Sequence, residues 1–89
     1  SHEWRSSLIE VRLEISPQKA FLFERKNFFS SQKIIERKPD GTIVVSYHFS
    51  DLKEIEFFIM EFLGYVKILA PVELKQKIIK KIEEGKNLL

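Results

Sequence analysis

The apolar residues of this chain change their spacing in a fixed order, and that order is the strongest constraint on its fold. From Leu8 to Ile15, aliphatic residues alternate with glutamate and arginine, which is typical of a strand with one buried face. Ser16 and Pro17 then supply an N-cap and a proline at the first helical position, so we expect a helix that runs to about Lys26. The domain therefore opens with a strand followed at once by a helix.

A hairpin is predicted in the middle of the chain. Residues 32–37 and 42–49 are rich in β-branched and aromatic side chains, which favour strands. Between them, Pro39, Asp40 and Gly41 are residues that tight turns prefer. Two strands joined by a short turn of this kind should pair antiparallel.

A helix, a strand and a last helix are predicted after the hairpin. Ser50 and Asp51 supply a cap for the second helix, and Gly64 ends it. Residues 65–69 form a fourth strand, and Pro71 starts the last helix. The apolar positions that these helices are expected to bury are Leu52, Ile55, Ile59 and Phe62 in the second and Leu74, Ile78 and Ile82, with Val72 and Ile79 beside them, in the last.

The order β-α-β-β-α-β with a C-terminal helix predicts an α+β domain of the ferredoxin-like type. Right-handed crossovers would place both main helices on one face of a four-stranded antiparallel sheet. Residues 8–89 suit a single small domain, because 44% of the 89 residues are hydrophobic and none is cysteine, so the core must form without disulfides. We interpret residues 1–7 as a tag remnant or linker.

Composition excludes several classes of protein. The net charge of +2 is too small to indicate nucleic-acid binding by itself, and no apolar run is long enough to span a membrane, so we expect a cytoplasmic protein. An RNA-recognition domain would need aromatic residues on the outward face of the two central strands. The residues predicted there are Glu10, Arg12, Glu14, Val44, Ser46 and His48.

Catalysis is not expected either. The histidines are His2 and His48, and His48 should point to the uncovered face of the sheet. The sequence shows no paired carboxylates, no glycine-rich loop and no nucleophile motif. We therefore predict neither an enzyme nor a metal or cofactor site.

The segment from Phe23 to Gln32 carries the most distinctive polar residues. Arg25 offers a planar fork suited to phosphate or carboxylate, and Gln32 supplies both a donor and an acceptor. Together they could hold an anionic ligand or the backbone of a partner. An equally acceptable interpretation is structural: Arg25 pairs with Glu24 or Glu36, or caps helix carbonyls, while Gln32 satisfies a strand edge.

From about Val11 to Ile82 the chain resembles the WCX domain, the C-terminal extension of bacterial WYL-type transcriptional regulators. The signature of this family is an arginine near the end of the first helix, an aromatic residue after it, and a Ser-Gln pair entering the second strand. The later motifs of the family also occur in this chain in the same order. The matching positions are Arg25, Phe28 or Phe29, Ser31 and Gln32, followed by Pro39-Asp40-Gly41, residues 45–49, residues 57–64, Ile68-Leu69-Ala70-Pro71 and Leu74. The family prefers tryptophan where this chain has Phe28.

The resemblance implies a function. It implies that the chain is part of a longer regulator, in which an upstream helix-turn-helix domain binds DNA and a WYL domain senses an effector together with this one. Single-stranded nucleic acid is the effector expected for some members. A homodimer is also implied, and Arg25, with Ser31 and Gln32 as polar partners, is the implied site for an anionic group.

Apolar residues beside the core carry information about partners. Phe57 and Met60 flank the buried stripe of the second helix, and Trp4 precedes the fold, so some of these side chains could bury against another domain or a second copy. They could equally form the margin of the core. The alternative functions are a small-molecule-binding module of the ACT type and a purely structural interaction domain.

Overall fold

The computed structural model describes residues 8–89, and the expectations for residues 1–7, including His2 and Trp4, lie outside the described residues. Within residues 8–89, four strands and three helices alternate along the chain. Their bounds are β1 Ile9–Ile15, α1 Pro17–Arg25, β2 Lys33–Arg37, β3 Ile43–Phe49, α2 Lys53–Glu61, β4 Val66–Ala70 and α3 Val72–Lys86. The predicted α+β class and the predicted order of elements are confirmed.

The four strands form one antiparallel sheet in the order β2-β3-β1-β4. The two central strands pair along their whole length, from Ile9 opposite Phe49 to Ile15 opposite Ile43. The edge strands β2 and β4 are shorter, with five residues each, and both ladders contain an irregularity. Within residues 8–89, β2 and β3 adjoin through the hairpin turn, whereas β1 pairs with β3 and with β4 across at least one intervening strand of the sequence.

The core lies on one face of this sheet. The inward residues of the two central strands are almost completely buried, and residues from all three helices belong to the same apolar cluster. Burying one such side chain contributes about 1.5–3 kcal/mol to the stability of the fold. The buried helix residues are Ala20 and Phe23 in α1, Ile55 and Ile59 in α2, and Leu74 and Ile78 in α3.

The apolar stripe of α3 is narrower than predicted. Leu74 and Ile78 are buried as expected, but Val72, Ile79 and Ile82 are 61%, 48% and 36% exposed. At about 100° of rotation per residue, Val72 and Ile79 lie more than about 100° around the helix from the buried pair. The prediction that Val72 and Ile79 widen the buried stripe was therefore wrong.

The other face of the sheet is covered by its own polar side chains. Glu10 accepts hydrogen bonds from Arg12 and from the Ser46 hydroxyl, both at 3.0 Å, and Lys38 pairs with Glu14 at 2.9 Å. Ser46 and Val44 on this face are both only 4% exposed. This face carries self-paired charges, and among the described residues it lacks the aromatic side chains that RNA-recognition sheets use.

These pairs predict loss of stability in acid. The hydrogen bond from Arg12 holds the pKa of Glu10 below its ordinary value of 4.5, and Arg37 does the same for the pKa of Glu24. A depressed carboxylate pKa stabilises the fold above about pH 4.5, and that contribution is lost as the pH falls below it. The unfolding temperature should therefore drop between about pH 7 and about pH 3. Glu10→Gln should reduce this drop, and an unchanged pH dependence in that variant would contradict the assignment to Glu10.

Candidate functional site

The segment that joins α1 to β2, residues 26–32, forms a junction built around one buried glutamine. Gln32 is 9% exposed and lies at the end of this segment, directly before β2. Its amide nitrogen donates to the carbonyl of Phe23 at 3.0 Å and to the carbonyl of Lys26 at 2.9 Å. The last carbonyls of a helix have no partner inside the helix, so these two bonds close the C-terminal end of α1. Arg25 lies between Phe23 and Lys26 along the chain, so these two hydrogen bonds also fix the backbone that carries it.

The oxygen of the Gln32 carboxamide accepts two hydrogen bonds. It accepts from the backbone N–H of Phe28 at 3.0 Å and from the hydroxyl of Tyr47 at 2.7 Å. A glutamine side chain has two donor hydrogens and two acceptor lone pairs, so all the hydrogen-bonding capacity of Gln32 is satisfied inside the domain. Gln32 therefore holds the junction in place and has no remaining donor or acceptor for a ligand.

Tyr47 is the component of the junction that the sequence did not reveal. Its ring is fully buried on the core face of β3, and burial raises the pKa of its phenol well above the ordinary value. The phenol therefore stays a donor and fixes Gln32 against the sheet. The signal was available: a tyrosine at an inward position of a central strand needs a partner for its hydroxyl.

Ser31 anchors the junction to β3. Its hydroxyl donates to the carbonyl of His48 at 3.2 Å and accepts from the N–H of His48 at 3.1 Å. The backbone pairing of β2 with β3 begins only at Lys33 opposite Ser46. The hydroxyl thus takes the place that the backbone of a longer β2 would occupy.

Phe28 and Phe29 pack their rings into a cluster between the helices and the sheet. The ring of Phe28 lies 4.9 Å from that of Phe23 and 5.1 Å from that of Phe58. Phe29 meets Phe49 at 5.0 Å and Phe58 at 5.2 Å, in both cases edge to face. Both residues are half-buried, so the aromatic bulk after Arg25 serves the core and leaves only part of each ring accessible.

Arg25 is exposed, whereas Gln32 is buried and Phe28 and Phe29 are half-buried. Its guanidinium lies over the ring of Phe21, 5.6 Å from the centroid, and Phe21 itself is 49% exposed. Glu24, a predicted alternative partner of Arg25, instead forms two hydrogen bonds with Arg37, at 2.8 and 2.9 Å. Among the residues that the structure describes, none accepts a hydrogen bond from Arg25. Within residues 8–89, the five N–H donors of its fork therefore have no hydrogen-bond partner.

The two proposed interface residues of α2 differ in exposure. Phe57 is 75% exposed with the ammonium of Lys81 5.5 Å from its ring centroid, whereas Met60 is half-buried at the margin of the core. Glu56 beside them is buried and lies 3.6 Å from Lys81 and 3.8 Å from Lys77. The helical spacing did not reveal this buried carboxylate, because its cations come from α3.

A groove of about 700 Å³ opens on the sheet side of the junction. Its apolar lining comes from Leu8, Phe29 and Phe49, and its polar lining includes Ser30, His48, Ser50 and Glu54. Ser31 also lies in its wall, but its hydroxyl is held by the backbone of His48. The junction therefore presents two surfaces: the Arg25–Phe21 pair and this groove.

Within residues 8–89, no three histidine, aspartate or glutamate side chains come together as metal ligands do. None of the helices there has the length and apolar character needed to cross a bilayer.

Comparison with known proteins places the chain in a family. The sequence model of the WCX domain matches residues 7–85, which includes the junction, the sheet and most of α3. A comparison with curated proteins gives no match. The family model covers far more than half of the chain, and the resemblance predicted from the Arg25 to Gln32 segment is confirmed. This chain belongs to the WCX domain family.

Proposed function

We propose that this WCX domain is the C-terminal sensor and dimerisation domain of a WYL-type transcriptional regulator. In that protein an upstream helix-turn-helix domain would bind DNA, and an upstream WYL domain would share the effector with this one. The domain would act in the cytoplasm by binding rather than by catalysis. The observation that supports this proposal best is the match of the WCX domain model to residues 7–85. The exposed Arg25–Phe21 pair at the end of α1, on a junction that Gln32 fixes from inside, supports the sensor role.

We also propose that the fold is ferredoxin-like in the strict sense. The supporting observations are the strand order β2-β3-β1-β4, the antiparallel pairing of all neighbours, and helices that share one core on one face of the sheet. A split βαβ arrangement has this order. It leaves the ends of α1 and β3 at one corner of the domain, where the candidate site lies.

The Arg25–Phe21 pair suits an anionic ligand that also has a flat ring. The guanidinium fork binds phosphate or carboxylate in two-point contacts, and the exposed ring of Phe21 offers a stacking surface. Single-stranded nucleic acid has both features, since each nucleotide carries a phosphate and a base that stacks on aromatic side chains. In this proposal Ser31 and Gln32 act by fixing the junction, and Arg25 makes the contact.

Effector binding would be coupled to DNA binding if the effector had different affinities for two arrangements of a dimer. A ligand shifts such an equilibrium only as far as its affinity for the two states differs. Phe57 and the accessible parts of Phe28, Phe29 and Met60 are the apolar contacts we propose for the WYL domain or the second subunit. Exposed aromatic residues of this kind are enriched at protein interfaces.

The proposal is tested by titrating this chain with a short single-stranded DNA and measuring fluorescence anisotropy at about 50 mM and about 200 mM salt. We expect binding that weakens as salt rises. Arg25→Ala should weaken it by about tenfold at low salt, because one charge-assisted contact is lost. Lys80→Ala is the matched control, since it removes an exposed positive charge from α3, away from Arg25. No binding at low salt, or equal loss in both variants, would contradict the role of Arg25.

A second candidate function is a small-molecule-binding regulatory module of the ACT type. The observation that favours it is the groove, whose volume of about 700 Å³ lies in the range of small-molecule sites. The sequence upstream in the intact gene product separates the two candidates. A WYL domain there supports the first, and an enzyme domain supports the second.

A further inference from the structure

The groove beside the junction has an electrostatic character opposite to that of Arg25. Among its described lining residues, Glu54 is the one carboxylate. Glu54 stands in the first turn of α2 and accepts a long hydrogen bond, 3.4 Å, from the hydroxyl of Ser50. Neither lysine nor arginine is among those lining residues. An anion in the groove would therefore meet a carboxylate and no fixed cation.

The N-terminus of α2 does not supply an anion-binding group in place of a lysine or arginine. A helix N-terminus attracts anions through its free N–H groups. Here the N–H of Lys53 donates to the carboxylate of Asp51 at 2.9 Å. The next two N–H groups, of Glu54 and Ile55, donate to backbone carbonyls of the turn before the helix. The end of the helix is thus already satisfied and carries the negative charges of Asp51 and Glu54.

The apolar wall of the groove that Phe29 and Phe49 form belongs to the hydrophobic core or packs against it. Phe49 is 5% exposed, and Phe29 packs against it edge to face with ring centroids 5.0 Å apart. Phe29 is also held by Phe58 and Tyr47, so this wall is fixed by the core. A flat apolar group placed against it would lose water contact without requiring the wall to move. Ser30 and His48 also line the groove.

We propose that this groove binds a small organic cation with an aromatic ring. The ring packs against Leu8, Phe29 and Phe49, and the ammonium group lies beside the carboxylate of Glu54. The inference rests on the second candidate function and gives it a ligand class. It is independent of nucleic-acid binding at Arg25, because Arg25 is not among the described residues that line the groove.

Three compounds that share a benzyl group test this inference: benzylamine, benzyl alcohol and phenylacetate. Each is titrated into the isotope-labelled chain near pH 7 while amide chemical shifts are followed by NMR. Benzylamine should shift the amides of Ser30, Ser50 and Glu54 saturably, with a dissociation constant on the order of 1 mM. Benzyl alcohol should bind more weakly, and phenylacetate should bind weakest.

Two glutamate variants complete the test. Glu54→Gln should weaken benzylamine binding by about three- to fivefold and leave benzyl alcohol nearly unchanged. Glu84→Gln, an exposed glutamate on α3, is the matched control and should change neither. Saturable binding of all three compounds with equal affinity would overturn the charge preference but support a small-molecule site. Absence of saturable shifts at the groove for every compound would overturn both the inference and the second candidate function.

Discussion

Phe23→Ala is expected to destabilise the domain by about 3–5 kcal/mol, which is a large part of the stability of a small domain. Phe23 is 1% exposed, and its ring contacts those of Phe28, Phe58 and Phe62 at centroid distances of 4.9 to 5.9 Å. Removing it leaves a cavity between α1 and α2 that neighbouring rings can fill only in part. Urea unfolding followed by circular dichroism measures the change.

Phe57→Ala is the matched control for this prediction. The same chemical change at a side chain that is 75% exposed should alter the unfolding free energy by no more than about 0.5 kcal/mol. Equal destabilisation by both variants would mean that Phe57 is buried in solution, for example against a second copy. A small effect of Phe23→Ala would contradict the packing described for α1.

Gln32→Ala is expected to cost about 3 kcal/mol, although it removes a polar residue. The reason is what stays behind: the hydroxyl of Tyr47 and the carbonyl of Phe23 lose their partners in a buried place. Gln32→Glu has nearly the same shape but at neutral pH donates nothing to the two carbonyls, so it should be at least as destabilising. The measurement is again the free energy of unfolding in urea.

Three further variants make this second prediction specific. Gln76→Ala changes an exposed glutamine on α3 and should have little effect. Tyr47→Phe removes one bond and should cost less than Gln32→Ala, and the double variant should cost less than the sum of the two. Additive effects would show that the two side chains do not interact.

Much of the fold could be predicted, because periodicity and turn residues report directly on local structure. The alternation up to Ile15 and the Ser16-Pro17 start of α1 gave elements that the structure reproduces almost to the residue. Val72 and Ile79 show the limit of such reasoning. They are apolar, but the partners of α3 cover only the side that carries Leu74 and Ile78.

The candidate site was predictable in position and not in its contacts. The sequence singled out Arg25, Ser31 and Gln32. It could not show that Gln32 accepts a hydrogen bond from Tyr47, which is fifteen residues away on β3. It also left open whether Arg25 pairs with Glu24. That question depends on Arg37, which reaches Glu24 only because β2 lies beside α1. Side-chain partners across elements follow from packing, and a single sequence does not encode them locally.

The hydroxyl of Ser31 has a consequence for how this domain avoids unwanted assembly. The end of a central strand beyond a short neighbour exposes an N–H and a carbonyl that can capture a strand from another molecule. At His48 both groups are already hydrogen-bonded to the hydroxyl of Ser31, so no unpaired backbone group is left there for an incoming strand. One small side chain thus protects the sheet from growing at this corner, and the chain can leave the corner open to a ligand without inviting aggregation.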